Sequence, residues 1–215
     1  TAIMCLLCPT TPLSQSEMNG KYGSSYAQFA NNENKFDITM CQAPCRAPCC
    51  WLGSMMCLCP VQIYMRHRAL NHVHPGSGWS HYICCQGYYG GCCCLQPGNM
   101  CESTCPHCCM CLEAFCCTGP AVSATSIIMR NEYGLGLDND DIRLIRCTNC
   151  LMIFALCLSC VARCTECEGD DQVAQVCNIL ADVVFCCVSG CMTAQTHHEI
   201  KLRERINAPE RHTMT

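Results

Sequence analysis

The sequence predicts a mainly α protein: a cysteine-rich, irregular N-terminal half followed by a disulfide-stapled helical hairpin within a three-helix unit. Three observations predict it. Thirty of the 215 residues are cysteine, glycine and proline punctuate residues 41–118, and beyond residue 118 apolar side chains return every three or four positions. That last spacing marks one face of an α-helix.

Residues 1–40 read as an extended arm. Between Cys8 and Cys41 the chain is mostly polar, free of cysteine and without a sustained period. Such a stretch is either a loosely attached terminus or an assembly element. In the second case Met4, Leu6, Leu7, Tyr22, Tyr26 and Phe29 are the anchors onto a neighbouring molecule.

Residues 41–118 hold eighteen cysteines, with doublets at Cys49–Cys50, Cys84–Cys85, Cys108–Cys109 and Cys116–Cys117 and a triplet at 92–94. Adjacent side chains point in different directions, so each doublet is expected to tie two separate elements together rather than bond to itself. One helix is expected in this region, over 61–71.

Residues 119–206 contain three helix candidates, and 207–215 form a tail. The first candidate opens around Thr118 or Gly119 ahead of Pro120 and stops at Gly134, a proline start and a glycine stop. The second follows Asp138, Asn139, Asp140 and Asp141 and runs to about Cys164; short acidic side chains cap helix N-termini and suit the dipole. The third starts after Glu168, Gly169, Asp170 and Asp171 and passes Gly190 to about Arg205. Short connections predict antiparallel neighbours.

The second helix carries a stripe of sulfur at Cys147, Cys150, Cys157, Cys160, Cys164 and Cys167, and the third carries Cys177, Leu180, Val184, Cys187 and Cys191. Cys150 and Cys164 are 14 residues apart, as are Cys177 and Cys191. In an antiparallel hairpin Cys150 therefore faces Cys191 in the same register that sets Cys164 against Cys177. Fourteen residues make roughly four turns, about 21 Å, so each pair lies on one face. Disulfides Cys150–Cys191 and Cys164–Cys177 would contribute roughly 4 and 3 kcal/mol by loop closure. The competing reading is that cysteine acts here as a small hydrophobe that lets helices approach.

Composition excludes several classes. Net charge is −4 with only three lysines, so there is no electrostatic footprint for nucleic acid. Only 16 residues separate Arg146 from Arg163, fewer than the roughly 20 of a membrane span; membrane association is possible but not favoured. The opening residues lack the charged-then-apolar layout of a secretory signal, and no Asn-x-Ser/Thr acceptor occurs.

Metal ligation is the best chemical candidate, through Cys105-x-x-Cys108, Cys147-x-x-Cys150, His81 and His107. Disulfides compete for the same sulfurs, and no metal site or cofactor is assigned on spacing alone. The acidic cluster 138–141 lacks the glycine and glutamate of a calcium loop. His197 and His198 read as an exposed polar face, and Lys201, Arg203, Glu204 and Arg205 as a solvated helix end. No nucleophile elbow, zinc-protease helix or phosphate loop occurs, so an enzyme is not expected.

Three stretches resemble the cysteine-rich PLAC8-like family. They are C49-C-W-L-G-S-M-M-C-L-C-P-V-Q, M129-R-N-E-Y-G-L and C191-M-T-A-Q-T-H-H-E-I. The resemblance implies membrane association or handling of zinc or cadmium. The leading expectation is instead structural: a disulfide-crosslinked, self-assembling subunit of an extracellular or cell-surface filament or coat, a homo-oligomer or polymer. Few lysines, heavy crosslinking capacity and the absence of a catalytic constellation favour it.

Overall fold

The computed structural model describes residues 9–19, 24–89, 96–147 and 170–212, with side chains of the last stretch described over 182–207. It is mainly helical, and no β-strand occurs among the described residues. Two compact units share the chain: residues 1–31 with 137–187, and residues 32–136 with 188–215. The boundaries expected at 40 and 118 both fall inside the second unit.

In the first unit, α1 (Gln15–Met18) opens with a reciprocal capping box between Ser14 and Glu17. A second helix, α7, occupies residues 139–147 of the described chain. Asp141 donates its amide to Asp138 Oδ1 at 2.8 Å, and Asp138 returns its own to Asp141 Oδ2 at 3.0 Å. The acidic cluster therefore caps a helix, as its composition predicts. From α7, Arg146 donates Nε to Glu17 Oε1 at 2.8 Å and Nη2 to the Pro12 carbonyl at 3.1 Å. That guanidinium holds the Glu17 carboxyl down at about 2. Tyr26 and Phe29, two of the expected assembly anchors, are buried; Met4, Leu6, Leu7 and Tyr22 lie outside the described residues.

The second unit holds α2 (Ala43–Arg46), α3 (Pro48–Met56), α4 (Leu58–Val73), α5 (Pro106–Cys116) and α6 (Thr118–Tyr133). More of 41–118 is helical than the single expected helix. The prolines that look like breakers, Pro48 and Pro106, sit in the first turns of α3 and α5, where a missing amide hydrogen costs nothing. Breaks of one residue, at Cys57 and Cys117, separate α3 from α4 and α5 from α6, too short to register as loops. At the other end of α6, Gly134 is left-handed (φ 60°) and donates to the Arg130 carbonyl, the expected glycine stop.

The core of this unit is Met65, Ala69 and Leu70 of α4, Met110 and Ala114 of α5, and Ile128 and Met129 of α6. Ile200 joins them from α8 (Asp170–His212). Over 188–207 the buried face of α8 is unusually polar. Gln62 donates to Thr193 Oγ1 at 2.9 Å, Gln195 donates to the Ile38 carbonyl at 2.9 Å, and Glu199 accepts the Asp37 amide at 3.1 Å. Gly190 sits where a Cβ would meet Trp51 Cδ1 at 3.1 Å, which is why a glycine is kept inside this helix. The run expected to be a solvated end is partly built in: Arg203 lies 4.3 Å over the Tyr133 ring and Glu204 pairs with Arg68 at 2.6 Å. Among the described residues no single helix is long and apolar enough to cross a membrane. Taken together α5 and α6 reach that length and composition, but they are bent by 119°.

A candidate thiol centre

The site begins with one backbone distortion. Cys85 and Gln86 both adopt left-handed conformations, φ 47° and 49°. L-residues are held there only by surrounding contacts, at roughly 1–3 kcal/mol each. The contacts are present. Cys84 donates its amide to Glu102 Oε1 at 2.7 Å, Cys85 donates its amide to Glu113 Oε2 at 2.8 Å, and Ile83 donates to Gln86 Oε1 at 2.8 Å. The consequence corrects the expectation that doublet side chains diverge. The Cys84 and Cys85 thiols turn to one side, their sulfurs within 4.8 Å of each other.

Below them lies a buried ion pair. Arg66 Nη2 donates to Glu113 Oε1 at 2.8 Å, with both side chains fully enclosed. Arg66 also donates Nε to Thr125 Oγ1 at 2.9 Å and Nη2 to the Ala121 carbonyl at 2.8 Å. Tyr82 donates its hydroxyl to Glu113 Oε2 at 2.9 Å. Glu113 thus accepts three hydrogen bonds, from Arg66, Tyr82 and the Cys85 amide, which satisfy its buried oxygens. Arg66 Nη1 is buried with no hydrogen-bond partner among the described residues.

Cys84 Sγ, Cys85 Sγ and a Glu113 oxygen all lie within 4.8 Å of one another, and all three residues are buried. Each thiol acts on the other, pushing Cys84 down and Cys85 up; burial and then the Glu113 charge raise Cys85 further. Burial, then Glu113, likewise raises the Tyr82 hydroxyl. A cavity of about 450 Å³ lined by Tyr82, Ile83, Gly98, Met100 and Glu102 opens beside this loop.

A second set of sulfurs surrounds α5. Cys105 and Cys108 are exposed, the Cys105 thiol raises that of Cys108, and burial followed by Cys111 raises Cys59. Burial raises the Cys109 thiol. His107 packs edge-on against Trp79 at 4.9 Å, and His81 stacks on His74 at 4.1 Å. His198 bonds to Asp37 Oδ2 at 2.9 Å. His197 is half-buried against Arg68, 3.0 Å away, and is held down to about 4 by burial and then by that charge.

No two described cysteines are joined by a disulfide. Of the proposed hairpin fasteners, Cys150 and Cys164 lie outside the described residues and Cys177 outside the described side chains; Cys191 is half-buried on α8. The centre itself was not anticipated. Its one signal in the sequence is a lone acid, Glu113, inside the otherwise uncharged helix P-H-C-C-M-C-L-E-A-F-C. Comparison with protein families, with curated proteins and with solved structures finds no match to this chain.

Proposed function

We propose that this protein binds a soft divalent metal ion, zinc or cadmium, at Cys84, Cys85 and Glu113. The observation that carries this reading is the convergence of two sulfurs and a carboxylate oxygen within 4.8 Å in a buried pocket. With zinc–sulfur bonds of about 2.3 Å, a tetrahedral site has edges near 3.7 Å, so about an ångström of closure completes three corners. Glu113 Oε1 accepts one described hydrogen bond, from Arg66, and keeps a second lone pair for a metal. Arg66 and Tyr82 orient the carboxylate, as outer partners of metal ligands do.

Charge favours the same ion class. With both thiols protonated, Glu113 and Arg66 cancel. A dication that displaces both thiol protons restores neutrality with the two thiolates. Either state avoids an uncompensated buried charge. Glu102, beside the Cys84 amide, adds negative potential that favours a cation. Exchange for two protons makes affinity fall about a hundredfold for each pH unit of acidification while both thiols are protonated.

Titration of the reduced chain with cadmium against a competing chelator tests the reading. The Cys84→Ser, Cys85→Ser double variant is expected to lose the tightest-bound equivalent and to keep weaker binding by exposed thiols. An unchanged first equivalent contradicts it.

A second reading, the crosslinked structural subunit of an extracellular or surface assembly, is supported by the exposed cysteines Cys45, Cys49, Cys57, Cys101 and Cys116. Met56 and Phe115 are 82% and 78% exposed and supply apolar contact surface. Sedimentation before and after oxidation separates this reading from the first. Polymers that dissolve in reductant are expected; a monomer under both conditions contradicts it.

A further inference from the structure

The geometry points to a thiol–disulfide exchange site at Cys105-Pro106-His107-Cys108, separate from the buried centre. Cys105 is the N-cap of α5, Pro106 opens the helix and Cys108 lies in its first turn. Residues three apart at a helix start have Cβ atoms about 5–6 Å apart, close to the reach of a disulfide. Cys105 has non-helical backbone angles (φ −139°, ψ 64°), which frees its side chain to swing over the first turn. Both thiols are exposed, and that of Cys105 is near enough to raise Cys108. No acidic residue occupies that turn, and the two thiols lie at the positive end of the helix dipole. Of the neighbouring sulfurs, Cys109 is buried and Cys111 lies a turn further along the helix.

The substrate class is an accessible disulfide. The Cys105 thiolate attacks one substrate sulfur, forming a mixed disulfide and releasing the other sulfur as a thiolate, which takes a proton from water. The Cys108 thiol then gives up its proton and attacks Cys105 Sγ. The substrate leaves as its second thiol, and a Cys105–Cys108 disulfide remains. The substrate gains two electrons, and the pair loses them.

The test incubates the reduced full-length chain with glutathione disulfide in the presence of chelator, quenches it with acid and maps the disulfides by mass. In the unmutated chain the Cys105–Cys108 disulfide is expected before crosslinks at other exposed cysteines, and excess glutathione reverses it. Cys108→Ser is expected to accumulate glutathione on Cys105, and Cys105→Ser to lose the early phase. Both positions are exposed, and circular dichroism checks that each variant folds. The inference is overturned if Cys105 and Cys108 stay reduced while Cys45, Cys49 or Cys116 oxidises, or if Cys105→Ser reacts as fast as the unmutated chain.

Discussion

Arg66 and Glu113 show how one pair can fix both a core and a site. Arg66 reaches from α4 to α5 and α6 at once, through Glu113, Thr125 and the Ala121 carbonyl. Removing one member of an enclosed ion pair strands the other charge, at a cost of about 3–5 kcal/mol. Arg66→Met is therefore expected to lower unfolding free energy by about that much in urea. Adding Glu113→Leu to it is expected to recover much of the loss, because the stranded charge is then gone. His197 makes a separate prediction. Its value falls from the ordinary 6.5 to about 4 in the folded chain, so the unfolded chain takes up that proton first. Stability from this group is intact above about 6.5 and is lost as pH drops from there toward 4. His197→Gln is expected to flatten the decline in melting temperature between pH 7 and pH 5; an unaltered decline contradicts the assignment.

At the scale of elements, legibility followed local chemistry. The α6 helix was readable because its proline start and glycine stop are local signals, and the Asp138–Asp141 cap of α7 for the same reason. The breaks at Cys57 and Cys117 were not readable, because one residue with non-helical backbone angles leaves no compositional mark. The left-handed turn at Cys85 and Gln86 was also invisible: neither residue type predicts positive φ, and the amide acceptors that hold it, Glu102 and Glu113, lie 18 and 28 residues away. The stripe facing Cys191 could be proposed from register but falls largely outside the described residues. Two glycines test the packing. A Cβ on Gly136 would lie 2.1 Å from the Asn32 carbonyl oxygen, whereas one on Gly190 meets Trp51 at 3.1 Å. Backbone cannot yield as a side chain can, so Gly136→Ala is expected to cost about 2 kcal/mol or more and Gly190→Ala less. Equal melting temperatures for the two variants would contradict this.

For the molecule as a whole, the described thiols fall into three settings. Cys84 and Cys85 lie in the interior beside Glu113, Cys105 and Cys108 lie exposed at the start of α5, and others such as Cys45, Cys49 and Cys116 are exposed elsewhere. If the interior site takes the metal proposed for it, binding is linked to folding. An ion bound only by the folded chain stabilises it by about 2.7 kcal/mol at a hundred times its dissociation constant, and the coupling weakens in acid as protons compete for sulfur. The most direct measurement is X-ray absorption at the cadmium edge of the reduced, unmutated chain loaded with a single equivalent. The account predicts a first shell of two sulfurs with the remaining positions filled by oxygen. A shell of four sulfurs would place the metal on the surface thiols and contradict it.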